Sequence, residues 1–300
     1  MPDPFYSIRG LDDITVEYDV SMAEHTTWGV GGPARYLVTA RSKPSLVRVL
    51  RVVRERELPL FIMGNGSNLL IADGGVPGVI IRLTDKLANV SVSGEQMEAG
   101  AGASISNAVT TALHASLTGF EFAFGIPGTV GGAIMTNAAA FRGSIAGVLT
   151  VVKTLTMDVE EERHVSFDAE YREPLVPPGE VVIKAKFSLS RDHEEAIKKR
   201  MDEVRSMRRE TQPWGMRTAG SVFKNPPGDS AGRLIEECGL KGKGVGGARI
   251  SEIHANFIIN GGDATASDIK RLIDLARGEV GARFGVDMEL EVQMLGLFGE

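Results

Sequence analysis

Two stretches of the chain are dense in backbone N–H donors and poor in side-chain bulk: Gly64-Asn65-Gly66-Ser67-Asn68 and Gly125-Ile126-Pro127-Gly128-Thr129-Val130-Gly131-Gly132. Consecutive amides in such loops form concave nests that hold an anion, a pyrophosphate above all, without positive side chains. The same composition also makes ordinary tight turns, because glycine supplies positive φ at no steric cost. Neither loop is a standard nucleotide fingerprint. Gly64-x-Gly66 follows an apolar run, but Leu69 stands where the dinucleotide motif needs its third glycine, and Gly100-x-Gly102 fails in the same way at Ile105. Gly239 to Gly244 is followed by Val245, not by the lysine of a phosphate-binding P-loop. Cys238 is the single cysteine and the five histidines lack metal-ligand spacing, so neither a disulfide nor a metal site is expected. His254, alone within Ser251-Glu252-Ile253-His254-Ala255-Asn256, reads as structural.

The elements that must position these loops follow from periodicity. Ala34 to Ala40 reads as a strand; Ser42 as N-cap and Pro44 in the first turn open a helix with Leu46, Val47, Leu50 and Val53 on one face; Leu58 to Met63 is a second strand. A β-α-β unit therefore leads into the first glycine loop. Short β-rich runs follow at Val79–Leu83, Ala88–Val92 and Gln96–Ala99, then a helix over Ser104–Leu117 and the second glycine loop, which enters a short helix. Strands resume at Val148–Met157, His164–Phe167 and Val181–Leu189. A charged helix over His193–Thr211 places Glu194 for Lys198 and Glu195 for Lys199. Trp214 to Gly220 reads as a linker. Beyond it the pattern predicts a strand at Ser221–Lys224, a helix at Ser230–Cys238, strands near Ala248 and Phe257, a helix at Ala266–Phe284 and a last strand at Leu290–Leu295.

Three hundred residues suggest two compact units, and the formal charge of -6 argues against a surface built to neutralise nucleic acid or anionic lipid. Any anionic ligand must meet its basic residues locally. The longest apolar runs are strand-length and the N-terminus has no long apolar segment, so neither a membrane span nor an export signal is expected; a cytoplasmic, reducing setting suits the lone cysteine.

Taken in order, the motifs resemble those of the UDP-N-acetylenolpyruvoylglucosamine reductase family, flavoenzymes that complete UDP-N-acetylmuramate for peptidoglycan. Thr26-Thr27-Trp28-Gly29-Val30-Gly31-Gly32-Pro33-Ala34 opens the series, and Gly64 to Leu70 and Gly125 to Ala133 continue it. Ala219-Gly220-Ser221-Val222-Phe223-Lys224-Asn225-Pro226, Ile250 to Phe257 and Glu289-Leu290-Glu291-Val292 complete it. The resemblance implies an α+β architecture: a PCMH-type FAD-binding domain over 1–212, composed of a small α/β subdomain and a β-rich subdomain, an α/β substrate-binding domain over 213–288, and a final strand within 289–300 returning toward the FAD domain. Arg172 to Ser221 is too short for the inserted loop, with its substrate-clamping tyrosine, of one branch; the chain resembles the compact form. It departs from the family where Glu173-Pro174 follow Tyr171-Arg172 in place of a nearby serine, and where Ala139 and Phe141 replace the usual glycine and tyrosine.

The resemblance implies that Gly64, Asn65, Gly66, Ser67 and Asn68, with Gly125, Pro127, Gly128, Thr129, Gly131 and Gly132, hold FAD. It also implies that one pocket serves NADPH and UDP-N-acetylglucosamine enolpyruvate in alternation. Hydride delivered to the enolpyruvyl terminal carbon leaves negative charge beside the carboxylate, which must be delocalised and then protonated. Arg172 matches the arginine that stabilises this charge through paired charge-assisted hydrogen bonds; alone, it would read as an ion pair with Glu170 or Glu173. Ser221 matches the proton donor, a weak acid that needs Lys224 or a water chain beside it; alone, it would read as a strand-edge hydroxyl. Glu291 matches the family's late glutamate, but Glu289 shares its strand face, and only the place of Glu291 immediately before Val292 favours it. Lys224 and Asn225 suit a uridine diphosphate, while Asn225 also suits a cap on the turn at Pro226-Pro227. Two rivals remain at this level: an FAD oxidase or dehydrogenase of an alcohol or sugar on the same fold, which the Ser221 and Glu291 motifs oppose, and a flavin-free nucleotide-sugar binding protein. No protein partner follows from the sequence.

Overall fold

The structure, a computed structural model, describes residues 3–141, 143–156, 162–165 and 175–298. The chain forms two compact units that interleave in sequence: Met1–Glu17, Tyr36–Gly64 and Gly78–Met207 make the first, and Tyr18–Arg35, Asn65–Pro77 and Arg208–Glu300 the second. Each has its own apolar core.

In the first unit, helix α1 (Lys43–Glu55) starts where Ser42 and Ser45 close a capping box with Pro44 in the first turn, and it buries Leu46, Val49, Leu50 and Val53 at helical spacing. Strand Leu60–Met63 runs parallel to Val76–Leu83, with Leu60 opposite Val79, in a four-stranded sheet whose order is Ile14–Ser21, Pro33–Ala40, Val76–Leu83, Leu60–Met63. A second, antiparallel sheet has the order Glu162–Val165, Leu149–Thr156, Glu180–Ser188, Gln96–Gly100, Val90–Ser93. Helices α2 (Ile105–His114) and α3 (Val130–Met135) are capped by Ser104 and Thr129. The helix expected to reach Leu117 ends at His114, because Leu117 pairs with Arg191 in a short strand that buries its side chain. Helix α4 (Glu194–Thr211) matches its predicted span, but Lys198 takes both Glu194 and Glu195, at 2.9 and 3.1 Å; one ammonium has donors enough for both carboxylates, and Lys199 is not used.

The second unit is built on α5 (Ala231–Glu237) and α6 (Ala266–Phe284), which share a core with Trp28, Leu70, Phe223 and Ile258. Trp28 is fully buried; its Nε1 donates to the Ile258 carbonyl at 2.8 Å and its own carbonyl accepts from Asn260 Nδ2 at 2.8 Å. That is why a motif near the N-terminus belongs with the C-terminal segment. Leu69–Ile71 joins the same unit by parallel pairing with Gln293–Leu295. The last strand begins at Gln293 and not at Leu290, and Ser221–Lys224 is an irregular segment, not the strand expected, touching strand geometry only at the Phe223–Leu290 bridge. No helix among the described residues is long and apolar enough to cross a membrane.

Asp73 fastens the same segment to α6. Its carboxylate accepts from the amides of Ala266 at 2.8 Å and Ser267 at 2.9 Å, at the positive end of a helix already capped by Thr265. Asp73→Ala is expected to lower unfolding stability by about 1 kcal/mol, read as a fall in the urea midpoint at unchanged slope.

Candidate functional site

In the first unit the two glycine loops meet. A Cβ placed on Gly64 would lie 2.4 Å from Thr129 Oγ1, so only glycine lets the end of the Leu60–Met63 strand approach the N-cap of α3. Among the described residues the amides of Gly125, Gly128 and Thr129 have no acceptor, whereas those of Val130, Gly131 and Gly132 are spent on Ala103, Ala101 and Thr129. The nest is therefore narrower than the glycine count predicts. Ala139–Ala140 pairs with Gly143–Ser144, and Phe141 stands at φ 47 at the turn, a strained conformation for a bulky side chain. Arg172, with Tyr171 and Glu173, lies outside the described residues.

In the second unit the rest of the first loop, Asn65 to Asn68, is held from behind. Thr27 N–H donates to the Gly66 carbonyl at 3.2 Å, and a Cβ on Gly66 would fall 2.1 Å from the His25 carbonyl oxygen. No acceptor among the described residues meets the amides of Asn65, Gly66 and Asn68. Unsatisfied donors on a loop fixed at its back make the cradle an anion requires, and this arrangement fits the diphosphate of a dinucleotide.

Three C-terminal motifs are stitched together around Val222 and Phe223. Asn256, buried, clamps the segment: its carbonyl accepts from Val222 N at 2.9 Å, its Oδ1 from Phe223 N at 2.9 Å, and its Nδ2 donates to the Phe223 carbonyl at 2.8 Å. On the other side Lys224 N donates to the Glu289 carbonyl at 2.9 Å, while Glu291 N and Val292 N both donate to the Val222 carbonyl, at 2.8 and 3.3 Å. Two residues thus face one, as in a β-bulge, and the two glutamates differ in burial: Glu289 is exposed and Glu291 half-buried. Asn68 then ties the glycine loop to this segment, Nδ2 donating to the Glu291 carbonyl at 3.0 Å and its carbonyl accepting from Gln293 N at 2.9 Å.

The predicted site residues take distinct places in this arrangement. Ser221, half-buried, stands one residue before the clamped segment, and no described group bonds its hydroxyl. Glu291 is half-buried, whereas the Glu289 side chain is 72% exposed and pairs with Lys224. Asn225 Oδ1 accepts from Ala231 N at 3.1 Å, so this side chain caps the start of α5, and no described group bonds its Nδ2. His254 is structural: its Nδ1 accepts from Asn256 N at 3.2 Å and its ring meets Phe257 edge-on at 4.8 Å. Burial pushes the Cys238 thiol up, away from reactivity.

Desolvation lowers the His254 pKa from its ordinary value of about 6.5. The unfolded chain therefore binds a proton first as pH falls, and stability contributed above that value is lost on acidification through it. The urea midpoint is expected to decline between about pH 7.5 and 5.5 less steeply in His254→Gln than in the wild type.

Three residues escaped the sequence reading. Asn256 was present in a quoted motif but its clamp joins residues 33 positions apart. Arg208 continues the buried α4 stripe of Ile197, Met201 and Val204, and burial lowers its pKa to about 10, which still leaves it charged. An arginine at the fourth place of an apolar stripe was the available signal. Arg217 lines a pocket with Thr27 and gave no periodic signal at all.

Residues 212–295 match the family model described as UDP-N-acetylenolpyruvoylglucosamine reductase, C-terminal domain, and residues 34–166 match the one described as FAD binding domain. The chain is similar to the UDP-N-acetylenolpyruvoylglucosamine reductase of Caldanaerobacter subterraneus, 42% identical over 280 residues that cover 92% of each chain. It is also similar to that of Streptococcus pneumoniae strain CGSP14, 43% identical over 289 residues, covering 95% of this chain and 96% of the relative. The crystal structure of the reductase from Thermus caldophilus superposes with a TM-score of 0.82 at 38% identity, covering 94% of this chain and 100% of the other.

Proposed function

The chain belongs to the UDP-N-acetylenolpyruvoylglucosamine reductase family, and we propose that Ser221 donates the proton, that Glu291 and Arg172 stabilise the enolate-like intermediate, and that Lys224 and Asn225 hold the uridine diphosphate. The reaction is the NADPH-dependent reduction of UDP-N-acetylglucosamine enolpyruvate to UDP-N-acetylmuramate, a step of peptidoglycan synthesis. Bound FAD would supply the hydride-transfer chemistry that links NADPH to the enolpyruvyl double bond. The amides of Asn65, Gly66 and Asn68 in the second unit are the groups that would hold its diphosphate.

The observation that carries the assignment is the convergence of Asn68, Ser221–Lys224, Asn256 and Glu289–Val292 in one hydrogen-bonded cluster. Its half-buried serine and half-buried glutamate lie on segments with little freedom, which suits groups that must meet a reacting carbon and its carboxylate in fixed geometry. Lys224 reaches a ligand phosphate by exchanging Glu289, an exposed pair worth about 1 kcal/mol or less. Arg172 joins by family match alone. The lone Cys238 and the use of NADPH suit the cytoplasm.

The reading is tested by an anaerobic absorbance titration. NADPH bleaches the flavin and UDP-N-acetylglucosamine enolpyruvate restores the oxidised spectrum; recovery only on admitting air would replace the reductase with an oxidase, and no flavin after supply of FAD would remove the cofactor.

A further inference from the structure

Ala23, Glu24, Thr26, Thr27, Gly29 and Arg217 line a pocket of about 340 Å³ in the second unit. Thr27 Oγ1 is buried there with no hydrogen-bond partner, an unfavourable state for a hydroxyl unless a ligand supplies the missing group. The amide of the same residue donates to the Gly66 carbonyl, which ties the hydroxyl to the loop whose own amides at Asn65, Gly66 and Asn68 are unspent. Arg217 crosses Gly29, its Cδ and Nη1 3.3 and 3.5 Å from where a Cβ on that glycine would sit. Its backbone is fixed, since Asn260 N donates to the Arg217 carbonyl at 2.9 Å, and no carboxylate among the described residues pairs with its guanidinium. The lining thus presents a held cation with no described carboxylate partner, an unsatisfied hydroxyl, and one carboxylate, Glu24.

We propose that Arg217 and Thr27 Oγ1 bind the diphosphate of FAD and supply the counter-charge that backbone amides alone lack. The proposal rests on the FAD assignment made above. A guanidinium meets phosphate oxygens through paired, charge-assisted hydrogen bonds, and a neutral amide nest gains most from such a partner where the diphosphate carries full charge. Glu24 faces the same space with the wrong sign for a phosphate, so removing its charge helps the ligand.

The test measures FAD affinity by flavin fluorescence on stripped and reloaded full-length protein, at low and high salt. Arg217→Met is expected to raise the Kd by about tenfold or more, with the deficit shrinking as salt rises. Arg217→Lys recovers part of the loss, and Glu24→Gln tightens binding. Thr27→Val weakens FAD about three- to tenfold while the apoprotein melts no lower than the wild type, because the variant also removes an unsatisfied buried hydroxyl. A purely structural role for Thr27 would move both readouts down together and would overturn the proposal. So would a wild-type Kd and salt dependence in Arg217→Met, or a change confined to the KM for NADPH or for the sugar nucleotide. Wild-type protein that takes up no FAD at any concentration is a different result, and sinks the cofactor assignment itself before any variant is compared.

Discussion

Ser221→Ala leaves flavin reduction by NADPH at the wild-type rate and slows reoxidation by the enolpyruvyl substrate by about 10²- to 10⁴-fold, the range that removal of a positioned proton donor spans. The separation of the two half-reactions follows from their chemistry. Hydride transfer from NADPH needs no proton from Ser221, whereas the carbanion left beside the carboxylate is quenched only by protonation. The structure offers the hydroxyl with no partner among the described residues, beside a segment clamped by Asn256 on one side and by Glu289 and Glu291 on the other. Stopped-flow absorbance resolves both steps in one experiment. Equal slowing of both would point to a folding or flavin defect, and no slowing of the second would take Ser221 out of the mechanism.

Glu291→Gln is expected to slow the same second step by about 10²- to 10³-fold, the effect of losing one group that stabilises developing charge. Glu289→Gln should alter it by less than about fivefold, since it breaks only an exposed pair with Lys224. The contrast rests on the bulge. Glu291 and Val292 share the Val222 carbonyl, and Asn68 Nδ2 holds the Glu291 carbonyl, so Glu291 is fixed from both sides while Glu289 lies at the exposed rim. Single-turnover rates with the reduced enzyme measure the step directly; a larger loss in the Glu289 variant would reverse the assignment.

Much of the fold was legible locally. The N-cap at Ser42, the helix from Glu194 to Thr211 and the helix from Ala266 to Phe284 follow from side chains that act within one or two turns. Strand Ile14–Ser21 was missed although Ile14, Val16, Tyr18 and Val20 alternate, because its burial is uneven and its polar positions dominate the window. Ser221–Lys224 was misread for the opposite reason: its apolar residues suit a strand, but its hydrogen bonds go to an asparagine side chain and to a bulged segment.

By itself the sequence determined the helices with their caps, the two donor-rich glycine loops and the family to which their order points, because these depend on residue type and spacing along a single segment. Tertiary structure alone decided which segments share a core and which glutamate is held. Trp28 and Asp73 bind early segments to the C-terminal unit through partners about two hundred positions away, and the bulge at Glu291 exists only because the Val222 carbonyl accepts two amides from a distant segment. Such hydrogen bonds form only after the chain has folded back on itself, so no local pattern of residues encodes them.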